Sequence, residues 1–121
     1  MIGVDVIEIE RLERALERRP RLAERIFSEE ELSFARARRR PGRHLAARFA
    51  AKEAAVKALG IGGLALHEVA VTGGGDEPPR LVLSGRAAAA ADEQGVELRV
   101  SLSHSRELAV ASVIATPPAA A

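Results

Sequence analysis

Between positions 43 and 59 the chain places seven alanines in seventeen residues, with neither glycine nor proline, and then turns at Gly60. Alanine has the highest helix propensity and a glycine just past the last turn is a common stop, so the stretch predicts one long helix. Its small side chains leave a smooth surface against which another element can pack closely. That element must come from the rest of a 121-residue chain, which by length is one domain, 1–121. A domain of this size buries roughly two-thirds of its unfolded surface, enough for a core without covalent staples. Three Phe and no Tyr or Trp make that core aliphatic, and the absence of Cys excludes disulfides and thiolate metal sites.

The β-branched residues Ile2, Val4, Val6, Ile7 and Ile9 predict a buried first strand, interrupted by Asp5. A helical pattern follows from Arg11 through Leu12, Ala15 and Leu16 and, past Pro20, through Leu22, Ile26 and Phe27. Ser28 and Glu31 form a capping box that opens a helix burying Leu32 and Ala35, and the basic run 38–42 ends it. Beyond the long helix, strands near 68–72 and 80–83 flank a Gly/Pro-rich turn. A short helix at 87–93 stops at Gly95, 96–102 and 108–115 make a final hairpin or meander, and 116–121 frays. The fold class is therefore α+β: a single domain with a small antiparallel sheet packed against the long alanine-rich helix.

The net charge of +1 hides a segregation. Residues 1–10 hold three acids and no base, whereas 11–48 hold twelve Arg against six Glu. Such an arginine-rich stretch steers acidic partners: nucleic acid, an anionic membrane or an acidic protein. No apolar run is long enough to span a membrane, and acids within the N-terminal stretch break any signal-peptide pattern, so a soluble cytoplasmic protein without a membrane partner is expected. Lysine occurs only at Lys52 and Lys57, against sixteen Arg, which hints that those two positions need a compact point charge.

Three places carry potential chemistry. Asp5 sits between valines in an apolar strand, where a carboxylate must be paired, hydrogen-bonded or bound to a metal; a strand-end acid paired with Arg is the plain alternative. In the run Arg48-Phe49-Ala50-Ala51-Lys52-Glu53-Ala54-Ala55-Val56-Lys57, helical spacing stacks Phe49, Glu53 and Lys57 along one stripe. An ordinary surface Glu53–Lys57 pair is one reading. The alanines around Glu53 favour another, a phosphate-rich ligand held by a divalent ion and cations. In Ser101-Leu102-Ser103-His104, the two serines share one strand face and Leu102 the other, so hydroxyls and the imidazole at the strand end can meet a ligand, or simply form a polar turn. No GxSxG elbow and no acid to orient His104 are evident, which argues against serine-hydrolase chemistry. The 60–63 glycines follow a helix rather than a strand and form no phosphate loop.

Gly3-Val4-Asp5, the 48–57 run and Val100-Ser101-Leu102-Ser103-His104 together resemble the holo-[acyl-carrier-protein] synthases, small bacterial 4′-phosphopantetheinyl transferases. The resemblance spans nearly the whole chain in order and length. It implies transfer of the phosphopantetheine arm of coenzyme A to a serine of an acyl carrier protein, with Mg²⁺ held by Asp5 and Glu53. Arg48, Phe49, Lys57 and Gly60 would line the coenzyme A site, with Ser101 and His104 near its ribose and 3′-phosphate. Lys57, helped by Arg48 or Lys52, would stabilise the leaving 3′,5′-ADP. Arg11, Arg18 and Arg21 would dock the acidic carrier protein, with Leu12 and Ala15 as the apolar centre of that contact. Trimers with active sites shared between neighbouring subunits are also implied. The chain departs from the family pattern at Leu66, usually aromatic, and at Ser105, commonly an acid. Two rivals remain at this level: an inactive homologue, and a basic nucleic-acid-binding module, which the missing Tyr and Trp and the near-zero net charge disfavour.

Overall fold

The structure, a computed structural model, describes residues 1–63 and 66–119. Strand β1 (Ile2–Glu8) leads into α1 (Ile9–Arg18), the short α2 (Leu22–Ile26), α3 (Glu29–Arg36) and the long α4 (Pro41–Leu59). A 3₁₀ turn (Leu66–Glu68) precedes β2 (Val69–Gly74), β3 (Glu77–Leu83), α5 (Gly85–Gln94), β4 (Glu97–His104) and β5 (Leu108–Thr116). Two antiparallel sheets result: a three-stranded one in the order β1-β5-β4 and a two-stranded one of β2 and β3. The fold is α+β, as expected, with the antiparallel pairing divided between two sheets. Thr116 is the last residue of β5, so the tail begins one residue later than expected, and residues 120–121 of that tail lie outside the described residues.

α4 starts two residues earlier than propensity suggested because Pro41 takes its first turn, where a missing N–H is harmless. Gly60 closes it at φ 68°. The helix lies on the three-stranded sheet at very short range. A Cβ on Gly3 would stand 1.9 Å from the Ala54 carbonyl oxygen and 2.8 Å from the Ala58 nitrogen. Glycine in the strand and alanine in the helix are thus one requirement seen from two sides. Ala50, Ala51, Ala54, Ala55 and Ala58, all fully buried, pack with Ala111 and Val113 of β5 in one core cluster; a second cluster joins α1, α3 and the start of α4 around Ile9, Phe27 and Leu45.

Register determines what flanks the helix. Asp5 of β1 and Leu102 of β4 both pair with Ala111 of the central strand, and Ile7 and His104 both pair with Ala109. With α4 seated over the β5 alanines, Asp5 emerges on one flank of the helix and His104 on the other.

The opposite face of this sheet corrects the reading of β1 as a wholly buried strand. Ile2, Val4 and Val6 are 66%, 51% and 57% exposed, and Leu108 and Ile114 of β5 extend the same uncovered apolar face. Alternation along a strand sends every second side chain away from the helix, and among the described residues no second layer covers them.

Glu31 has a larger part than that of a cap. The capping box with Ser28 is present, and the same carboxylate accepts the Val71 N–H at 2.8 Å and pairs with Lys52 at 2.9 Å, both side chains being fully buried. Lys52 Nζ also donates to the carbonyls of Val69 and Leu66. Lys52 is therefore removed from ligand chemistry, contrary to the expectation that it assists a leaving group; it ties α3, α4 and β2 together.

Candidate active site

The stripe Phe49–Glu53–Lys57 turns toward β1. Asp5, Glu53, Phe49, Arg11, Leu12, Ala15, Leu22, Ile26 and Leu108 are among the residues lining a cavity of about 700 Å³ between α4, β1 and the first two helices. Lys57 Nζ donates to Asp5 Oδ1 and to the Val4 carbonyl, both at 3.0 Å. Burial pushes the Glu53 carboxyl up from its ordinary value, the neighbouring Asp5 charge adds to this, and Lys57 opposes it. Two carboxylates held close at the cost of mutual repulsion, with one ammonium against them, form a hard-oxygen donor pair. Such a pair suits a divalent cation that takes few protein ligands and completes its shell with water and substrate phosphates, as Mg²⁺ does. Among the described residues no group of three or more acidic, His or Cys ligands exists, so a closed all-protein metal cage is not built here.

Arg48 lies five residues before Glu53, about 140° around the helix, and faces the other flank. It is 3% exposed, donates from Nη2 to the Gly73 carbonyl at 2.9 Å, and leaves Nε without a protein partner. Together with Phe34, Arg38, His44 and His104 it lines a second cavity of about 440 Å³, closed by Gly74 and Gly75 of the β2–β3 turn. His44 and His104 meet edge to face at 5.6 Å. Both imidazoles are held below their ordinary pKa: burial is the main cause for each, Arg43 disfavours a charge on both, and His104, Arg38 and Arg48 add to the effect at His44.

The residues singled out from sequence thus fall into two groups. Asp5, Glu53, Lys57 and Phe49 come together on the β1 flank, with Arg11 at the same cavity. Arg48 and His104 come together on the β4 flank. Ser101 joins neither: it pairs with Ser112 on the uncovered sheet face, opposite to His104. Gly60 is exposed at the end of α4. Arg18 and Arg21 are exposed on the rim of the first helices, whereas Leu12 is 5% exposed and belongs to the core, which corrects its placing at a docking centre. Ser105 closes the β4–β5 turn, its Oγ accepting the Leu108 N–H at 3.2 Å. Phe34, Arg38 and His44 were not singled out from sequence. The helical spacings Phe34 to Arg38 and His44 to Arg48, each four residues, were the available signal.

An acidic flank and a cationic flank on one helix of an α+β fold offer the two kinds of group that a phosphoester ligand needs. A family model for the 4′-phosphopantetheinyl transferase superfamily matches residues 1–112. The holo-[acyl-carrier-protein] synthase of Moorella thermoacetica is 49% identical over 112 residues, covering 90% of this chain and 88% of that protein. The crystal structure of the Helicobacter pylori synthase in complex with coenzyme A superposes with a TM-score of 0.82 at 28% identity, covering 96% of this chain and all of that one. The Bacillus anthracis synthase in complex with coenzyme A (3′,5′-ADP) gives 0.78 at 34% identity, over 97% and 96% of the two chains. The chain belongs to the 4′-phosphopantetheinyl transferase superfamily, among its holo-[acyl-carrier-protein] synthases. It is accordingly an enzyme of the phosphopantetheinyl transferase class.

Proposed function

We propose that the protein transfers 4′-phosphopantetheine from coenzyme A to a serine of apo acyl carrier protein in a Mg²⁺-dependent reaction that releases 3′,5′-ADP. The observation that carries this is the meeting of Asp5 and Glu53 at the 700 Å³ cavity, with Lys57 paired to Asp5. In the reaction the serine Oγ bonds to the pantetheine-side phosphorus. The bond from that phosphorus to the bridging oxygen breaks, 3′,5′-ADP leaves with the electron pair, and the hydroxyl proton ends in bulk water. Asp5 and Glu53 would hold the cation, which supplies neutralisation and polarisation of the pyrophosphate. Lys57, already at hydrogen-bond range of Asp5, would move its charge onto the leaving phosphate. Phe49 and the aliphatic side chains of the cavity supply an apolar wall beside that end.

The β4 flank would serve the other end of the coenzyme, with Arg48 and His104 at its 3′-phosphate. α4, with a diameter of about 10 Å including side chains, stands between the flanks. We therefore assign the two flanks of one chain to the active sites of different protomers in a homotrimer. The apolar outer face formed by Ile2, Val4, Val6, Leu108 and Ile114 supports that assembly, and it brings Ser101 to a neighbouring protomer's surface. Arg11, Arg18 and Arg21 would steer the acidic carrier protein to the cavity mouth in a cytoplasmic enzyme.

Intact-mass spectrometry of an apo carrier protein incubated with the protein, coenzyme A and Mg²⁺ tests the reading. A phosphopantetheine mass gain that a chelator abolishes is expected. No gain with several carriers, from a folded sample, contradicts it and leaves an inactive homologue.

A further inference from the structure

The β4-flank cavity has a feature that the reading above does not use. The guanidinium carbons of Arg38 and Arg48 lie 3.4 Å and 3.8 Å from the centroid of the Phe34 ring. Two such groups cannot both fit on one face without overlapping, so they occupy opposite faces and sandwich the ring. His44 meets the ring edge at 5.8 Å, and His104 stacks edge-on against His44. Each guanidinium is tethered by a carbonyl: Arg38 Nη1 to Phe34 O at 2.8 Å and Arg48 Nη2 to Gly73 O at 2.9 Å. The β2–β3 turn presses onto this stack. At Gly74, φ is 97° and a Cβ would lie 2.8 Å from the Phe34 ring and 3.1 Å from Arg48 Nη2, so only glycine allows the approach.

Like charges repel, and two arginines brought this close need a reason and a holder. The ring is the holder, because its negative faces attract both cations and its edge attracts the positive side of a neighbouring ring. The reason lies in the cavity they line. Among the described residues lining it the one acid is Glu77; Glu31 and Glu30 offset part of the charge on Arg48, which retains a buried donor without a protein partner, and two imidazoles complete the wall. A compact dianion with several acceptor oxygens answers all of these groups at once.

We propose that Phe34 is a positioning residue that holds Arg38 and Arg48 as a paired clamp for the 3′-phosphomonoester of coenzyme A. The inference rests on the transferase reading above and gives Arg38 and Phe34 a share in donor selectivity. Phe34 itself touches no reacting atom; it sets where the two charges stand.

Steady-state kinetics with coenzyme A and with 3′-dephospho-coenzyme A as donors separate the possibilities. In Phe34→Leu, kcat/KM for coenzyme A should fall about tenfold through KM, with KM for the carrier protein and kinetics with the dephospho donor little changed. Phe34→Tyr, which keeps the ring, should restore selectivity. Arg38→Ala, at an exposed position, should also erode the preference and gives a second reading should Phe34→Leu fail to fold. Equal losses with both donors in Phe34→Leu, or an unchanged preference in both Phe34→Leu and Arg38→Ala, overturn the clamp while leaving the transferase reading intact. Absence of transfer from coenzyme A by the unaltered protein overturns both.

Discussion

Helix α4 carries two lysines, each paired with a carboxylate from another element, and the two pairs differ in almost everything but chemistry. Lys52 and Glu31 sit 2.9 Å apart with both side chains wholly buried. Lys57 and Asp5 sit 3.0 Å apart with 53% and 18% of their side chains exposed. The buried pair is held by further hydrogen bonds from Ser28 and Val71 and to Val69, so all its charge is spent within the protein. The open pair is bordered by a second carboxylate, Glu53, and by a cavity, so its charges remain available to a ligand. Burial and supporting hydrogen bonds, rather than residue type, decide which pair is committed to the fold and which stays open to a ligand.

The largest effect should come from emptying the open site. Asp5→Ala with Glu53→Ala is expected to lower the transfer rate by about a thousandfold or more while the melting temperature barely moves, as read by mass spectrometry and circular dichroism. Next, Lys52→Ala should destabilise the fold by about 3–5 kcal/mol in denaturant titration, because it leaves Glu31 charged and buried. Glu31→Leu combined with Lys52→Met should recover only part of that loss, because the Ser28 and Val71 N–H groups and the Val69 carbonyl then lose their partners; if the single variant unfolds at the wild-type midpoint, the contrast between the pairs collapses. Lys57→Ala should do the reverse, changing stability by less than about 1 kcal/mol and lowering kcat about ten- to a hundredfold. Arg11→Glu extends the contrast to a charge meant for a partner: the KM for carrier protein should rise far more than that for coenzyme A, and equal rises would remove its docking role.

The smallest effect concerns pH. His44 and His104 have native pKa values below the ordinary imidazole value, so the unfolded chain binds protons that the native one resists. Their contribution to stability is therefore present above about pH 6.5 and is lost as pH falls from there through the lowered native values. Arg43 disfavours the charged form of both rings, with Arg38 and Arg48 adding at His44. His44→Gln should flatten the acid limb of a denaturation series between pH 7 and 5.

Much of this was legible in the chain because it rests on local rules. The long helix follows from alanine propensity and Gly60, and the Ser28–Glu31 box from a three-residue spacing. The Phe49–Glu53–Lys57 stripe follows from helical periodicity; the meeting of Asp5 with Glu53 was implied only by resemblance, and the Asp5–Lys57 pair was not foreseen. What stayed hidden depends on tertiary pairing. That Lys52 would be swallowed by Glu31 requires knowing that α3 and β2 close over it. That Ser101 and His104 would part company follows from alternation, but which face meets α4 is decided by Gly3 and the β5 alanines. The exposure of Ile2, Val4 and Val6 could not be read from composition, since a strand covered by a neighbouring chain has the same residues as one covered by its own.

Under the proposed function, one helix separates two half-sites that belong to different protomers. Mixing an Asp5→Ala/Glu53→Ala chain with an Arg48→Ala chain, co-refolded or co-expressed to allow subunit exchange, tests it directly. Each variant alone should be almost inactive, and the mixture should regain a substantial fraction of wild-type transfer, because some interfaces then combine an intact acidic flank with an intact cationic one. Mixtures that never exceed the sum of their parts would place both flanks on one coenzyme within a single chain and contradict the account.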